Sequence, residues 1–175
     1  MTDPTRIDIS TDPRERRLYG TTAHGWLDFD VPYMTEVAPN LWQGGCARGL
    51  VLPVDIKHVV SLYPWERYTI EHPVDSELYV RMFDSEGQDL DRVDSIANWV
   101  NQCRESGPVL VHCQAGLNRS ALIAARAIYT SEQNAVADNE DYIGTGPEIV
   151  EHLREKRSPA VLCNPAFADE VASWA

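Results

Sequence analysis

The stretch Val111-His112-Cys113-Gln114-Ala115-Gly116-Leu117-Asn118-Arg119-Ser120 holds a thiol, an arginine six positions later, a glycine between them and a serine just beyond. Its neighbours say where it must lie. Val109 to His112 reads as a short buried strand, and Ser120 to Tyr129 is apolar almost all round, as in a helix buried against a sheet. A loop leading from a strand end into a helix start sits where α/β sheets bind ligands. There the unpaired amides and the helix dipole favour an anion. A chain curled around that point can aim several N–H groups at one phosphate. Arg119 adds a planar fork for two phosphate oxygens. The same field promotes ionisation of a thiol. The expected chemistry is attack by the Cys113 thiolate on a phosphate ester. The phosphate would be held by Arg119 and by the loop of Gln114, Ala115, Gly116, Leu117 and Asn118. Arginine and oriented amides supply the positive charge, so no metal or other cofactor is expected. The bland alternative is a buried cysteine acting as a small hydrophobe.

Such a transfer expels an alkoxide or phenoxide, which needs a proton from a carboxylic acid across the pocket. Asp84 is the candidate: it follows a predicted strand, Leu78 to Phe83, parallel to the one that delivers Cys113. Glu86, Asp89 and Asp91 share its loop. Asp91 is expected to cap the next helix, and Asp89 to serve a turn or cap. Ser120 can hydrogen-bond the sulfur as it departs.

The elements that must position these groups follow from periodicity. Val37 to Gly45 reads as a strand pair, and Ile56 to Leu62 as a buried strand. Val93, Ile96, Ala97, Val100 and Cys103 recur at helical spacing. Strand, helix and strand in that order imply a right-handed crossover. Ser131 to Asp141 is polar and acidic and expected to leave the core. Thr145 and Pro147 open an amphipathic helix that Ser158-Pro159 ends, and a last short helix covers Pro165 to Trp174. The expected fold is α/β, a central mostly parallel sheet flanked by helices. Residues 1–35 read as an arm, and 36–175 as one domain.

The chain has 175 residues and a formal net charge of -12. That charge opposes nucleic acid and anionic lipid unless a basic patch offsets it, and the densest cluster (Arg14, Arg16, Arg17) is interrupted by acids. Neither nucleic acid nor membrane is an expected partner. The opening segment has no apolar core of a secretory signal, and no apolar run would span a bilayer. A cytoplasmic protein is expected. Cys46, Cys103, Cys113 and Cys163 have neither zinc-site spacing nor a disulfide framework, so reduced thiols are expected.

His112-Cys113-x5-Arg119-Ser120 resembles the signature of the cysteine-dependent protein tyrosine phosphatases, and the short chain resembles their dual-specificity branch. Asn40-Leu41-Trp42-Gln43-Gly44 and Lys57-His58-Val59-Val60-Ser61-Leu62 are similar to that branch's first strands. Arg157-Ser158-Pro159, Asn164 and Phe167 are similar to its closing helices. The first 35 residues and the insert at 131–146 match nothing in it. The resemblance implies the phosphatase-type sandwich, a phosphocysteine intermediate and an acid at Asp84 that later acts as base. It also implies that His112 orders the loop and tunes the thiolate. Some such enzymes inactivate by pairing the catalytic cysteine with a second one. Here Cys103 faces the core and the Val59 to Tyr63 strand end carries none, so that device is unsupported.

The expected substrate is a phosphorylated protein or peptide, carrying phosphotyrosine or also phosphoserine or phosphothreonine. The absence of basic residues between Cys113 and Arg119 weighs against inositol phosphates and RNA 5′-triphosphates. Tyr63-Pro64-Trp65-Glu66-Arg67-Tyr68 could wall a pocket for a phosphotyrosine ring, or simply pack as a loop. Two other readings are a phosphate-binding module without turnover and a sulfur-transfer domain, which would need no upstream acid. The sequence does not set an oligomeric state.

Overall fold

The computed structural model describes residues 9–134 and 144–175. Its centre is β7 (Val109–His112), all four residues of which are buried. Parallel neighbours flank it: β4 (Leu41–Gly44) on one side, and β5 (His58–Ser61) followed by β6 (Ser76–Tyr79) on the other. An antiparallel edge strand, β3 (Met34–Ala38), completes the order β3-β4-β7-β5-β6. A strand buried on both faces reads as a continuous apolar run, and VLVH and HVVS do. Alternation then splits the core. Val60, Val109 and Val111 share one cluster with helices α1 (Val93–Arg104), α2 (Arg119–Asn134), α3 (Gly146–Lys156) and α4 (Pro165–Ala172). Val59 and Leu110 face the other way, against Leu50, Leu52, Ile56 and Tyr68.

The register aligns Ser61, His112 and Gly44 across three parallel strands, so the chain leaves all three at one sheet edge. Helix α2 starts there and is centrally buried, with Ala121, Ala124 and Ala125 fully covered. Small side chains let it lie close to the sheet. Helix α3 opens as expected: the Thr145 side chain and Glu148 form a reciprocal capping box. Among the described residues no helix is long and apolar enough to cross a membrane.

Four expectations change. The strand expected over 78–83 is regular only through Tyr79, with one further bond from the Val80 amide to the Ser61 carbonyl at 2.9 Å, although Val80 and Met82 stay buried as the chain runs on to Asp84. Asp91 does not cap α1; Arg92 holds that position without a side-chain bond. The Leu90 carbonyl already accepts the Val93 N–H, and Asp89 accepts the Asp91 N–H in a local turn. Helix α2 continues through Asn134 rather than stopping before Ser131; the remainder of the acidic stretch, 135–143, lies outside the described residues. Finally, part of the segment expected as an irregular arm forms an antiparallel hairpin, β1 (Arg17–Thr21) with β2 (Asp28–Pro32). Arg17 ties it across to Asp30 at 2.6 Å, and just before it Arg14 reaches Asp55 at 2.7 Å.

Candidate active site

Where β7 ends, the chain wraps into a bowl whose carbonyls all find partners on its outside. The Gln114 oxygen accepts from the Cys46 amide at 2.9 Å, and the Leu117 oxygen from the Leu162 amide at 2.8 Å. The Ala115 oxygen accepts from Arg157 Nη2 at 3.1 Å. The Gly116 oxygen accepts twice, from Arg157 Nε and Gln43 Nε2, each at 2.8 Å. In a trans peptide the C=O and N–H point in opposite directions. Four carbonyls turned outward therefore turn the amides of Ala115, Gly116, Leu117 and Asn118 inward. Gly116 demonstrates this, since its N–H donates to Cys113 Sγ at 3.3 Å. The curl needs a left-handed residue at Gly116, where φ is 72° and a Cβ would lie 2.4 Å from the Gly44 carbonyl carbon. Gly45 admits the loop on the other side; a Cβ there would meet the Gln114 oxygen at 2.6 Å.

Arg157 and Gln43 are buried, and no motif in the sequence marks either as a site residue. Arg157 appeared only within a flanking match, because nothing in its spacing relates it to the loop. Its guanidinium also donates to the Pro32 carbonyl and to Thr35 Oγ1, at 2.8 and 2.9 Å. Burial lowers its pKa to about 10, which leaves it charged at neutral pH.

Cys113 lies at the bottom of the bowl, 2% exposed, with Sγ 3.4 Å from Ser120 Oγ. Behind it His112 is buried and its pKa falls to about 4, chiefly because burial disfavours the charged ring. The neutral ring donates from Nδ1 to the Cys113 carbonyl at 3.2 Å, and Tyr68 meets it edge-on at 5.3 Å between centroids. Arg119 is anchored through Nη1 to the Met82 carbonyl at 3.1 Å, and its guanidinium covers the Tyr63 ring at 5.2 Å. Its Nε is buried without a hydrogen-bond partner among the described residues. A phosphate oxygen is the acceptor such a donor suits.

Asp84 does reach this edge. Its Oδ2 accepts from Asn118 Nδ2 at 2.9 Å and its Oδ1 from Asn164 Nδ2 at 3.0 Å. The Asn118 side chain is a strut between the loop, Asp84 and the Asn164 amide. Glu86 stays on the exposed part of the loop.

The cavity in front of Cys113 has a volume of about 210 Å³. Asp84, Arg119, Gln114, Ala115, Leu117 and Asn118 line it together with Thr21, Thr22, Ala23 and Phe29 of the hairpin region. Of the two readings of 63–68, loop packing fits, since no residue of that segment lines the cavity. Tyr68 is drawn behind the loop by its bond to the Gly45 carbonyl, and Tyr63 is occupied by Trp65, at 5.0 Å, and by Arg119. Phe29 supplies the ring instead. The four cysteines are free, and the sulfur of Cys163, which no sequence motif ties to the loop, lies 3.3 Å from Asn118 Nδ2.

Residues 51–175 match the family model of the dual specificity phosphatase catalytic domain, and the chain belongs to that family. A dual specificity protein phosphatase of vaccinia virus, OPG106, is 28% identical over 108 residues, covering 58% of this chain and 63% of the relative. The chain thus spans less than two thirds of that relative's length. Among solved structures, OH1 from the Orf virus, described as a tyrosine phosphatase with triple substrate specificity, superposes with a TM-score of 0.60 at 22% identity. That match covers 79% of this chain and 83% of OH1. DUSP15 gives 0.61 at 21% identity, over 79% of this chain and 85% of its own. At these identities the two structures establish the fold, an α/β phosphatase sandwich.

Proposed function

We propose that the protein is a phosphatase that hydrolyses phosphate monoesters on a phosphorylated protein, on tyrosine and also on serine or threonine, through a phosphocysteine intermediate. The observation that carries this reading is the outward locking of the loop carbonyls, which presents inward amides around the Cys113 sulfur. Family membership and the family name support the substrate class.

Each group then has a task. The amides of residues 115–118, with Arg119, hold the equatorial phosphate oxygens and compensate charge as it shifts. Cys113 Sγ attacks phosphorus in line with the P–O bond of the ester, and Asp84 gives its proton to the leaving oxygen. Water next attacks phosphorus, forming an O–P bond as the S–P bond breaks; Asp84, now ionised, takes a proton from that water, the electron pair leaves with Cys113 as thiolate, and Ser120 hydrogen-bonds the departing sulfur. Inorganic phosphate leaves and the cycle closes. His112 keeps the Cys113 carbonyl turned away from the bowl, and Gln114, Ala115 and Leu117 form its wall. In this reading the catalytic domain begins near residue 36, and the preceding hairpin lies over its mouth as an arm. The protein acts in the cytoplasm without a metal.

The test is hydrolysis of an aryl phosphate in the presence of a strong chelator. Turnover should persist with chelator and vanish in Cys113→Ser. Turnover that survives in Cys113→Ser refutes the assignment.

A further inference from the structure

One wall of the cavity comes from a part of the chain that precedes the family match at residue 51. From the turn that links β1 to β2, His24 reaches across to Asp84. Its Nε2 lies 3.3 Å from Asp84 Oδ1 and 3.3 Å from the Asp84 main-chain oxygen. A carbonyl oxygen only accepts, so Nε2 bears the hydrogen. The hydrogen bond goes to the main-chain oxygen and the carboxylate lies at the same distance, so one ring nitrogen contacts both the side chain and the backbone of the same residue. Asn118 and Asn164 touch the carboxylate alone. Among the described residues the histidine alone contacts both the acid's side chain and its main chain, and it adds to the restraint that the two asparagines place on the carboxylate rotamer.

The turn is built to hold that ring in place. The Thr22 hydroxyl, buried under the turn, donates to the His24 carbonyl at 2.6 Å and accepts from the Leu27 amide at 2.9 Å. Gly25 and Trp26 take left-handed conformations, φ 79° and 53°, although Trp26 is 82% exposed. A bulky residue in that region is strained, and packing of its ring does not compensate for it. The acid loop needs such a tether, because Ser85, Glu86 and Gly87 beyond Asp84 are exposed.

We propose that His24 is a positioning residue that holds Asp84 in its proton-donating geometry, so that the N-terminal hairpin completes the active site. The proposal rests on the reading of Asp84 as the acid. A proton donor speeds an ester with a poor leaving group and does little for one whose leaving group departs unprotonated. That difference separates the role of His24 from a structural one.

The experiment compares kcat/KM for phenyl phosphate and for 2,4-dinitrophenyl phosphate in the full chain. His24→Ala should lower the first about ten-fold and change the second by less than about two-fold. His24→Gln, which retains an N–H donor, should stay within about three-fold of wild type on both. In an Asp84→Asn background, His24→Ala should add no further loss. Equal losses on both esters, or an additive loss in the Asp84→Asn background, overturn the proposal. If Asp84→Asn itself shows no dependence on the leaving group, the reading of Asp84 fails as well. If Asp84→Asn shows it and His24→Ala does not, only the role of His24 fails.

Discussion

Replacing Arg157 by methionine tests whether the phosphate bowl is held open from behind. The guanidinium makes four hydrogen bonds, to the carbonyls of Ala115, Gly116 and Pro32 and to Thr35 Oγ1. Methionine keeps much of the volume and none of the donors. The Gly116 oxygen retains Gln43, but those of Ala115 and Pro32 lose the arginine as partner. Each of these partly buried carbonyls, left without its partner, costs up to about 1–3 kcal/mol. Part of that is offset because a buried charge no longer has to be desolvated. A net loss of about 2–3 kcal/mol follows, which for a chain of this size lowers Tm by about 4–12 °C. The functional effect is separate. With the Ala115 carbonyl free to rotate, the Gly116 amide can turn out of the bowl, and one charge-assisted bond to phosphate is worth about 1.5–3 kcal/mol. Competitive inhibition by inorganic phosphate, measured well below Tm, should weaken about 10-fold to 100-fold. An unchanged phosphate inhibition constant in a destabilised Arg157→Met protein would show that the outward carbonyls do not organise the bowl.

Three further outcomes are expected. Gly116→Ala places a Cβ against the backbone of Gly44 and Gly45 at a φ of 72°, so aryl phosphate turnover should fall more than about 100-fold, with a loss of stability in urea titration. Asp84→Asn should lower kcat/KM for phenyl phosphate about 100-fold and affect the dinitrophenyl ester far less, measured by initial rates. His112 contributes to acid sensitivity. Its folded pKa of about 4 lies below the ordinary value of 6.5, so the unfolded chain takes up the proton first as pH falls. The contribution is complete above about pH 6.5 and is lost on descent toward about pH 4, amounting to about 2–3 kcal/mol at about pH 4.5. Urea titrations at the two ends of that window should show the loss in wild type, and a loss smaller by that amount in His112→Asn.

What could be read from the chain follows from the range of the interactions. The loop from Cys113 to Arg119 was legible because its chemistry is local: nucleophile, glycine and arginine are set by one strand end and one helix start. The five-stranded sheet was legible because β5 and β7 are buried on both faces and leave continuous apolar runs. Arg157 was not, since its relation to Ala115 is a contact across 42 positions that no period encodes. The hairpin escaped for a different reason. RLYGT is exposed on four of its five residues and has no buried face, and the alternation in DFDVP runs over only four positions before Pro32, too short a stretch to mark a strand by itself. His24 accordingly shows in no pattern, and the ring that lines the cavity, Phe29, comes from the same hairpin. Asp91 failed as a cap because the Leu90 carbonyl already served the first free amide of α1.

The account stands on a covalent bond between phosphorus and one sulfur. Mixing the Asp84→Asn protein with 2,4-dinitrophenyl phosphate, quenching within milliseconds and sequencing the peptides by mass spectrometry would examine it directly. The activated ester loads the nucleophile without help from the acid, and the missing base slows release. A phosphate adduct on Cys113, forming at the rate of the dinitrophenolate burst, is the expected result. A burst with the adduct on another residue, or with no adduct, would contradict it.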